Sequence, residues 1–410
     1  MSAPCRYCQS PLALELIDLG RQPLANSYLE PTPAAIAAEP RFPLRIMICE
    51  ACYLVQVEKS IPAETIFDAN YAYYSSYSSS WVAHARRFTE EAARRFGLGP
   101  DSMVIEIASN DGYLLQHFVA RNIRCLGIEP AANCAEAARA RGVETMVAFF
   151  NRDTARHLAG MGITADLMIA NNVLAHVPDI SGFVAGFPLV LKLQGVACFE
   201  FPHLLRMISG CQFDTIYHEH YSYLSLAIVD RILKQNGMRI FDVETLSTHG
   251  GSLRVFACHQ GADHAETSRV AALRREETAA ALDQPRGYSD FASRARLMRD
   301  DLVDYLAAMR GRGEHVAAYG AAAKGNTFLN YCGVGPADID FVVDRNPQKQ
   351  GKLLPGSHIP VAAPDVLRTA RPKAILILPW NLVGEISAEH AYVREWGGRF
   401  VVASPKLREL

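Results

Sequence analysis

The sequence predicts an α/β protein in three parts: a small four-Cys zinc module, a central doubly wound parallel sheet, and a second, smaller sheet of the same kind. Three observations carry this. Two Cys-x-x-Cys pairs, Cys5 with Cys8 and Cys49 with Cys52, lie near the start. Between Met103 and His259 short apolar runs alternate with helical stretches, and polar residues collect where the runs end. From Val316 the chain again reads strand, small-residue turn, helix. Such alternation builds a parallel sheet with helices on its faces. The parts divide at residues 1–70, 71–262 and 263–410.

Composition bounds the rest. A chain of 410 residues supports two or three domains, and 50% apolar with 20% charged residues is ordinary for a water-facing fold. The formal net charge of -2 argues against a nucleic-acid partner. No apolar stretch approaches the length that crosses a bilayer, so no membrane partner is expected. The start lacks a basic-then-apolar leader, and four of the ten Cys form tight pairs. Both features favour metal binding in a reducing cytoplasm over a disulfide framework.

In the first module each Cys-x-x-Cys knuckle turns two thiolates toward one point. Cys5, Cys8, Cys49 and Cys52 together give four soft ligands, the set that suits tetrahedral structural zinc. The alternative, a pair of redox dithiols, needs a thioredoxin-like context that is absent. A closed four-Cys site leaves no position for substrate, so its role is to fold the module. Between the knuckles, residues 19–26 (LGRQPLAN) read as a turn-rich loop whose polar groups face either a ligand or solvent.

Residues 71–81 (YAYYSSYSSSW) have no helical or strand period and read as a loop entering a helix over about 81–96. Four tyrosines in such a loop suit a lid over a polar ligand. The helix should bury Val82, Phe88 and Ala92 and expose its Arg pairs.

The central part opens with a strand over 103–107, a tight loop Ala108-Ser109-Asn110-Asp111-Gly112, and a helix over 113–120. A second strand ends at Glu129, about where an acidic residue grips a ribose diol in dinucleotide folds. Strands near 143–147, 166–170 and 196–201 follow, and 238–244 with 253–259 should close the sheet as an antiparallel pair. Ligands of such sheets sit beyond the carboxyl ends of the strands. Glu106–Gly112, Glu129, Asn171–His176 and Tyr217–His220 all fall there.

The segment 213–225 (FDTIYHEHYSYLS) packs Tyr217, His218, Glu219, His220, Tyr221 and Tyr223 together. No other stretch gathers so many groups able to move a proton or hold an oxyanion; aromatic and His clusters also fill loops under a core. Downstream, the Gly250-Gly251 pair allows close approach to a ligand, with Arg254 available to a phosphate and His249 to a sugar. A tight hairpin entry with a surface Arg is the other reading. In the last part the turn 319–326 (YGAAAKGN) puts backbone N–H groups and Lys324 beside an anion. It lacks the spaced triple glycine of an NAD site.

The stretches IEIASNDGYLL, GIEP and NNVLAHVPD resemble the S-adenosylmethionine site of class I methyltransferases. The family pattern usually has Gly where this chain has Ala108 and Asn110. The whole layout, with the Cys pairs, YxYxSSxSxxW, SNDG, YHEH, HGGSLRV and YGAAAKGN, is similar to the nucleotide-sugar C-methyltransferases. That resemblance implies a central class I methyltransferase domain and a C-terminal Rossmann-like domain that helps hold a nucleotide diphosphate. It implies methylation of the carbon next to the keto group of a dTDP-linked 4-keto-deoxysugar. It places adenosylmethionine against Glu106, Ala108, Asn110, Asp111, Gly112, Glu129, Pro130, Phe150, Asn171 and Asn172. For Phe150, as for Phe149, a plain core role is the alternative.

Carbon methylation needs a carbanion equivalent, most simply an enolate made by removing a proton alpha to a ketone. That calls for a base near neutral pKa and donors aimed at the oxyanion. The family pattern gives His220 as base, with Glu219 orienting it or a substrate group, Tyr217 and His176 at the enolate oxygen, and Tyr71 closing the pocket. Residue type alone does not separate His218 from His220. His249, Arg254, Lys324 and Asn326 are the expected substrate contacts. The rivals are O- or N-methylation with the same cofactor, an NAD-dependent nucleotide-sugar oxidoreductase, and a zinc-dependent scaffold. The sequence sets no oligomeric state; a monomer is compatible with it.

Overall fold

The computed structural model describes residues 3–59, 61–62 and 74–410. Its strands in chain order are β1 (Leu14–Gln22), β2 (Phe42–Ile48), β3 (Val55–Val57), β4 (Met103–Ile107), β5 (Arg124–Glu129), β6 (Thr145–Val147), β7 (Ala165–Asn171), β8 (Leu191–Pro202), β9 (Ser222–Tyr223), β10 (Met238–Leu246), β11 (Ser252–His259), β12 (Val316–Tyr319), β13 (Val342–Val343), β14 (Val361–Ala362), β15 (Ala374–Ile377), β16 (Arg399–Val402) and β17 (Arg408–Glu409). They form three sheets, ordered β1-β2-β3-β9, β10-β11-β8-β7-β4-β5-β6, and β14-β13-β12-β15-β16-β17.

In the central sheet β4 and β7 are mostly apolar and buried along nearly their whole length, as strands covered on both faces are. β4 pairs in parallel with β5 on one side and β7 on the other, so the strand order reverses between β4 and β7. The loops leaving these two strands border the crevice where such sheets take ligands. β11 pairs antiparallel with β8, and β10 closes the sheet antiparallel to β11, the antiparallel pair expected there. The third sheet repeats the device: β12 pairs in parallel with β13 and β15, and its order reverses there.

The helix Ser79–Arg95 starts where Ser78 Oγ accepts the Trp81 N–H at 3.3 Å. It buries Trp81, Ala85, Phe88 and Ala92, whereas Val82, expected inside, is only half-buried. Its inward stripe starts at Trp81, one residue earlier than the expected one. The helix expected over 113–120 shrinks to Gln116–Val119. Gly112 leaves the loop at φ 78°, and the next turns tighten, with the His117 N–H donating to Leu114 O and the Phe118 N–H to Leu115 O. β13 is shorter than the apolar run 339–343, since Ile339 closes a turn on Gly335.

The zinc module is wedged between the larger parts. Cys49, Cys52 and Leu54 pack with the central core, while Leu16, Ile46 and Val55 share a core with Phe213, Leu302 and Leu329. Its sheet is completed by β9 from the central part, Val55 pairing with Tyr223. This strand pairing brings the segment before β9, Tyr217–His220, to the junction of all three parts.

Candidate active site

A cavity of about 990 Å³ lies at that junction. It is bordered by the loops after β4 and β7, by Tyr217, Glu219 and His220, by Asn26 of the zinc module, and by Lys324 and Asn381 beyond the switch point of the third sheet. One drug-sized ligand needs roughly 300–1,000 Å³, so this space can hold a cofactor and part of a second molecule.

The loop after β4 is strained in a telling way. Ala108 (φ 52°) and Asn110 (φ 50°) sit in the left-handed region, followed by Gly112 (φ 78°). The chain therefore keeps the backbone path that glycine usually supplies, at about 1–2 kcal/mol for each side chain held there. Asn172 after β7 (φ 55°) is held likewise. Glu129, at the end of β5, accepts from the Asn110 N–H at 2.9 Å and the Ala131 N–H at 2.8 Å. Burial raises its carboxyl despite those two bonds.

Adenosylmethionine fits these groups. The Asn171 and Asn172 side-chain oxygens are buried at the cavity with no hydrogen-bond partner among the described residues, as acceptors awaiting donors would be. Ala108, Asn110, Glu129, Pro130 and Phe150 also line the space. Phe150 does both things expected of it: it faces the cavity and packs against Phe183 and Phe187 with ring centroids 5.6 and 5.3 Å away.

Glu106, Asp111 and Gly112 lie behind the lining. Glu106 is buried, which pushes its carboxyl well up, and the neighbouring Glu129 adds to the shift. Asp111 takes Arg141 at 3.1 Å and the Ser76 hydroxyl, while the Ser75 N–H donates to Asn110 Oδ1 at 2.8 Å. The Ser-rich bridge is thus stitched to the cofactor loop, a role for Ser75 and Ser76 that residue type did not reveal. Tyr71 lies outside the described residues.

The Tyr217–His220 segment separates its members. His218 turns away from the cavity to the zinc module, with Nε2 3.3 Å from Pro43 O and its ring edge on Phe42. His220 lines the cavity, and its Nδ1 lies 2.7 Å from Thr215 O. A carbonyl only accepts, so Nδ1 carries the proton and Nε2 keeps its lone pair. Burial, helped by nearby His176, drives the His220 pKa well below its ordinary value, so the ring is neutral. The orienting partner of His220 is therefore the Thr215 carbonyl, not Glu219. Glu219 accepts instead from Asn26 Nδ2 at 2.6 Å, and burial pushes its carboxyl up to about 7.

His176 packs edge-on against His220, ring centroids 4.6 Å apart, and burial lowers it to about 4. It bonds to the Glu219 main chain. A neutral imidazole has one N–H, and that bond uses it, so of the two candidate donors Tyr217 is the one that brings an O–H. The Tyr217 ring lies 4.0 Å from that of His220.

The expected substrate contacts divide. Lys324 lines the cavity, donates to His249 O at 2.9 Å and is lowered by burial. His249 also lines it, at φ 55°, with burial and Lys324 lowering it to about 4. Arg254 is already committed: Glu200 and Glu244 stand directly across from it on β8 and β10, at 2.7 and 3.1 Å. Asn326 is buried behind the lining and donates to Ala25 O at 2.6 Å. The glycine pair serves packing rather than a ligand: a Cβ on Gly250 would meet Trp380, and one on Gly251 would meet Arg206. Lys349 was not anticipated. It lines the cavity, donates to Ala321 O at 2.6 Å and is lowered by burial.

The Cys5, Cys8, Cys49 and Cys52 sulfurs all lie within 4.8 Å of one another. Cys5 and Cys52 are 3.7 Å apart, Cys8 and Cys49 3.4 Å. Four sulfurs at about 2.3 Å from zinc stand about 3.8 Å apart, so the set fits the ion. Gln56 Nε2 donates to Cys5 Sγ at 3.2 Å, the kind of outer support thiolate ligands need. Among the described residues no helix is long and apolar enough to cross a membrane.

Comparison with known proteins places three family models along the chain. A candidate zinc binding domain matches residues 5–67, a methyltransferase domain 81–243, and a C-methyltransferase C-terminal domain 247–405. C-methyltransferase NovU of Streptomyces niveus is 35% identical over 404 residues, covering 98% of this chain and 96% of that protein. A ubiquinone biosynthesis O-methyltransferase of Rhodopseudomonas palustris is 24% identical over 33% of this chain and 62% of its own length. Among solved structures, the magnesium protoporphyrin IX methyltransferase of Synechocystis overlays with a TM-score of 0.33 at 16% identity, over 44% of this chain and 82% of that one.

Proposed function

We propose that this chain, which belongs to the S-adenosylmethionine-dependent C-methyltransferases, methylates the carbon alpha to the keto group of a nucleotide-linked 4-keto-deoxysugar, with dTDP as the nucleotide. One observation carries the reading. His220 is a neutral imidazole with its Nδ1 proton tied to Thr215 O, set in the same cavity as the cofactor loop.

Ala108, Asn110, Glu129, Pro130, Phe150, Asn171 and Asn172 would hold the cofactor, with Glu106, Asp111 and Gly112 shaping the loop behind them. Bound there, adenosylmethionine supplies an electrophilic methyl carbon. His220 Nε2 takes the proton alpha to the ketone, and the C–H pair becomes the carbon–carbon double bond of an enolate. The Tyr217 hydroxyl donates to the enolate oxygen. Glu219, once ionised, accepts from a hydroxyl or amine on the sugar and fixes the ring beside His220. Lys324 and Lys349 face the anionic part of the substrate. His249 borders the same side.

The pH dependence follows from these charges. His220 is neutral throughout the physiological range, so it sets no acid limb there. Glu219 is protonated below about 7, so kcat/KM should fall as pH drops through that value. The test uses a dTDP-linked 4-keto-deoxysugar in D2O. Without methyl donor, deuterium should enter alpha to the ketone; with donor, the product should gain one CH2 on that carbon. Absence of exchange at every pH, or a methyl on oxygen or nitrogen, would sink the reading.

A further inference from the structure

We propose that Asn26, supplied by the zinc module, is the positioning residue for Glu219, and that Asn326 of the third part acts through the loop carrying Asn26. The inference rests on the reading of Glu219 as the carboxylate that binds the sugar.

The contacts form a chain across three parts of the molecule. Asn326 Nδ2 donates to Ala25 O at 2.6 Å, and the next residue, Asn26, donates through Nδ2 to Glu219 Oε1 at 2.6 Å. The loop is pinned to the third part again just after that relay. The Tyr28 hydroxyl donates to Ala321 O at 2.6 Å, and Leu29 exchanges backbone bonds with Leu353 at 3.1 and 2.8 Å. Asn326 is 1% exposed and lies behind the cavity lining, where its side chain supports the loop. Asn26 itself lines the cavity beside Glu219.

The consequence is electrostatic. A donor on a carboxylate favours its charged form, and here it opposes the burial that raises Glu219. The other ionisable groups around Glu219 are Tyr28 of the zinc module, His176 and His220 of the central part, and Lys324 and Lys349 across the cavity. Tyr28 is itself raised by burial and by Asp344 and Glu219, so it stays neutral. His176 and His220 are neutral as well. Asn26 thus touches the Glu219 carboxylate directly and favours its ionised form, while Lys324 and Lys349 face it from across the cavity.

The experiment is the pH profile of kcat/KM for methylation of the dTDP-linked 4-keto-deoxysugar by the full-length, zinc-loaded enzyme. Asn26→Ala should move the acid limb up by about one pH unit, the scale of one lost hydrogen bond to a charge, while keeping most of the alkaline plateau. Asn26→Asp, which sets a second carboxylate against the first, should move it further. Asn326→Leu should move it in the same direction by less. A merely structural role would lower the melting temperature or the whole profile and leave the limb in place, which overturns the proposal. Glu219→Gln separates the two claims. Should the limb vanish in Glu219→Gln yet stay fixed in every Asn26 and Asn326 variant, the positioning role alone fails. Should it survive in Glu219→Gln, the reading of Glu219 fails and the positioning role with it.

Discussion

Two strand–turn–helix units face the same cavity, and they are opposite in charge. Beside the one after β4 stand acceptors: Glu129 at the end of β5, and the side-chain oxygens of Asn171 and Asn172 at the end of β7. The one after β12 presents cations: Lys324 beside the small-residue turn, with Lys349 bonded to the same turn at Ala321 O. Both sheets reverse strand order at this point, so topology alone offers two equal ligand sites. Side-chain charge decides what each takes. Acceptors suit the hydroxyls and amine of a nucleoside–amino acid; buried ammonium groups suit an anion. The segment Tyr217–His220 lies between the two walls, held there by the pairing of β9 with the zinc module.

The harshest way to break this comparison is to remove the part that joins the walls. Cys49→Ser should lower zinc content measured by metal analysis, cut the melting temperature by several degrees, and cost the binding of both ligands, since the module's fold hangs on the ion. A folded, fully active, metal-free variant would end the structural-zinc assignment.

Next in size is the group between the walls. His220→Asn should cut turnover roughly a hundredfold or more, the scale of a lost general base, and leave calorimetric binding of S-adenosylhomocysteine unchanged. Turnover near that of the parent chain would move the base elsewhere, with His176, His249 and His84 the other imidazoles that line the cavity.

The two walls can then be told apart directly. Glu129→Gln should weaken cofactor binding roughly ten- to a hundredfold and spare KM for the nucleotide sugar. Lys324→Met should do the reverse, raising that KM about tenfold while cofactor affinity holds. Equal effects of either variant on both ligands would erase the distinction.

The smallest effect tests the backbone. Ala108→Gly relieves a left-handed alanine but adds freedom to the unfolded chain, so thermal stability should rise by no more than about 1 kcal/mol, with cofactor affinity unchanged. A clear loss of affinity would show that the Ala108 methyl itself touches the cofactor.

Much of the fold was legible because it rests on local patterns. Apolar runs of strand length, separated by polar turns, gave the central sheet to within a few residues, including its antiparallel closure by β10 and β11. Two Cys pairs foretold a sulfur cluster, since metal ligands are a matter of spacing. The failures are also local in cause. Arg254 does line the cavity, but its pairing could not be foreseen, because its partners Glu200 and Glu244 come from other strands. The glycine pair looked like a ligand approach, because Trp380 and Arg206, which crowd it, are far away in sequence.

The sequence by itself determined which residue types could bind a metal, accept from a nucleoside or take a proton, and where along the chain strands would end. It could not say which of two neighbouring imidazoles would face the cavity. Only the tertiary structure decided that, through a main-chain carbonyl at Thr215 that carries no side-chain signature and through the pairing of β3 with β9. It likewise decided that an asparagine of the zinc module would meet Glu219. The physical reason is range: propensity and ligand spacing act over a few residues, whereas a hydrogen bond between residues 26 and 219 exists only once three distant parts of the chain have packed together.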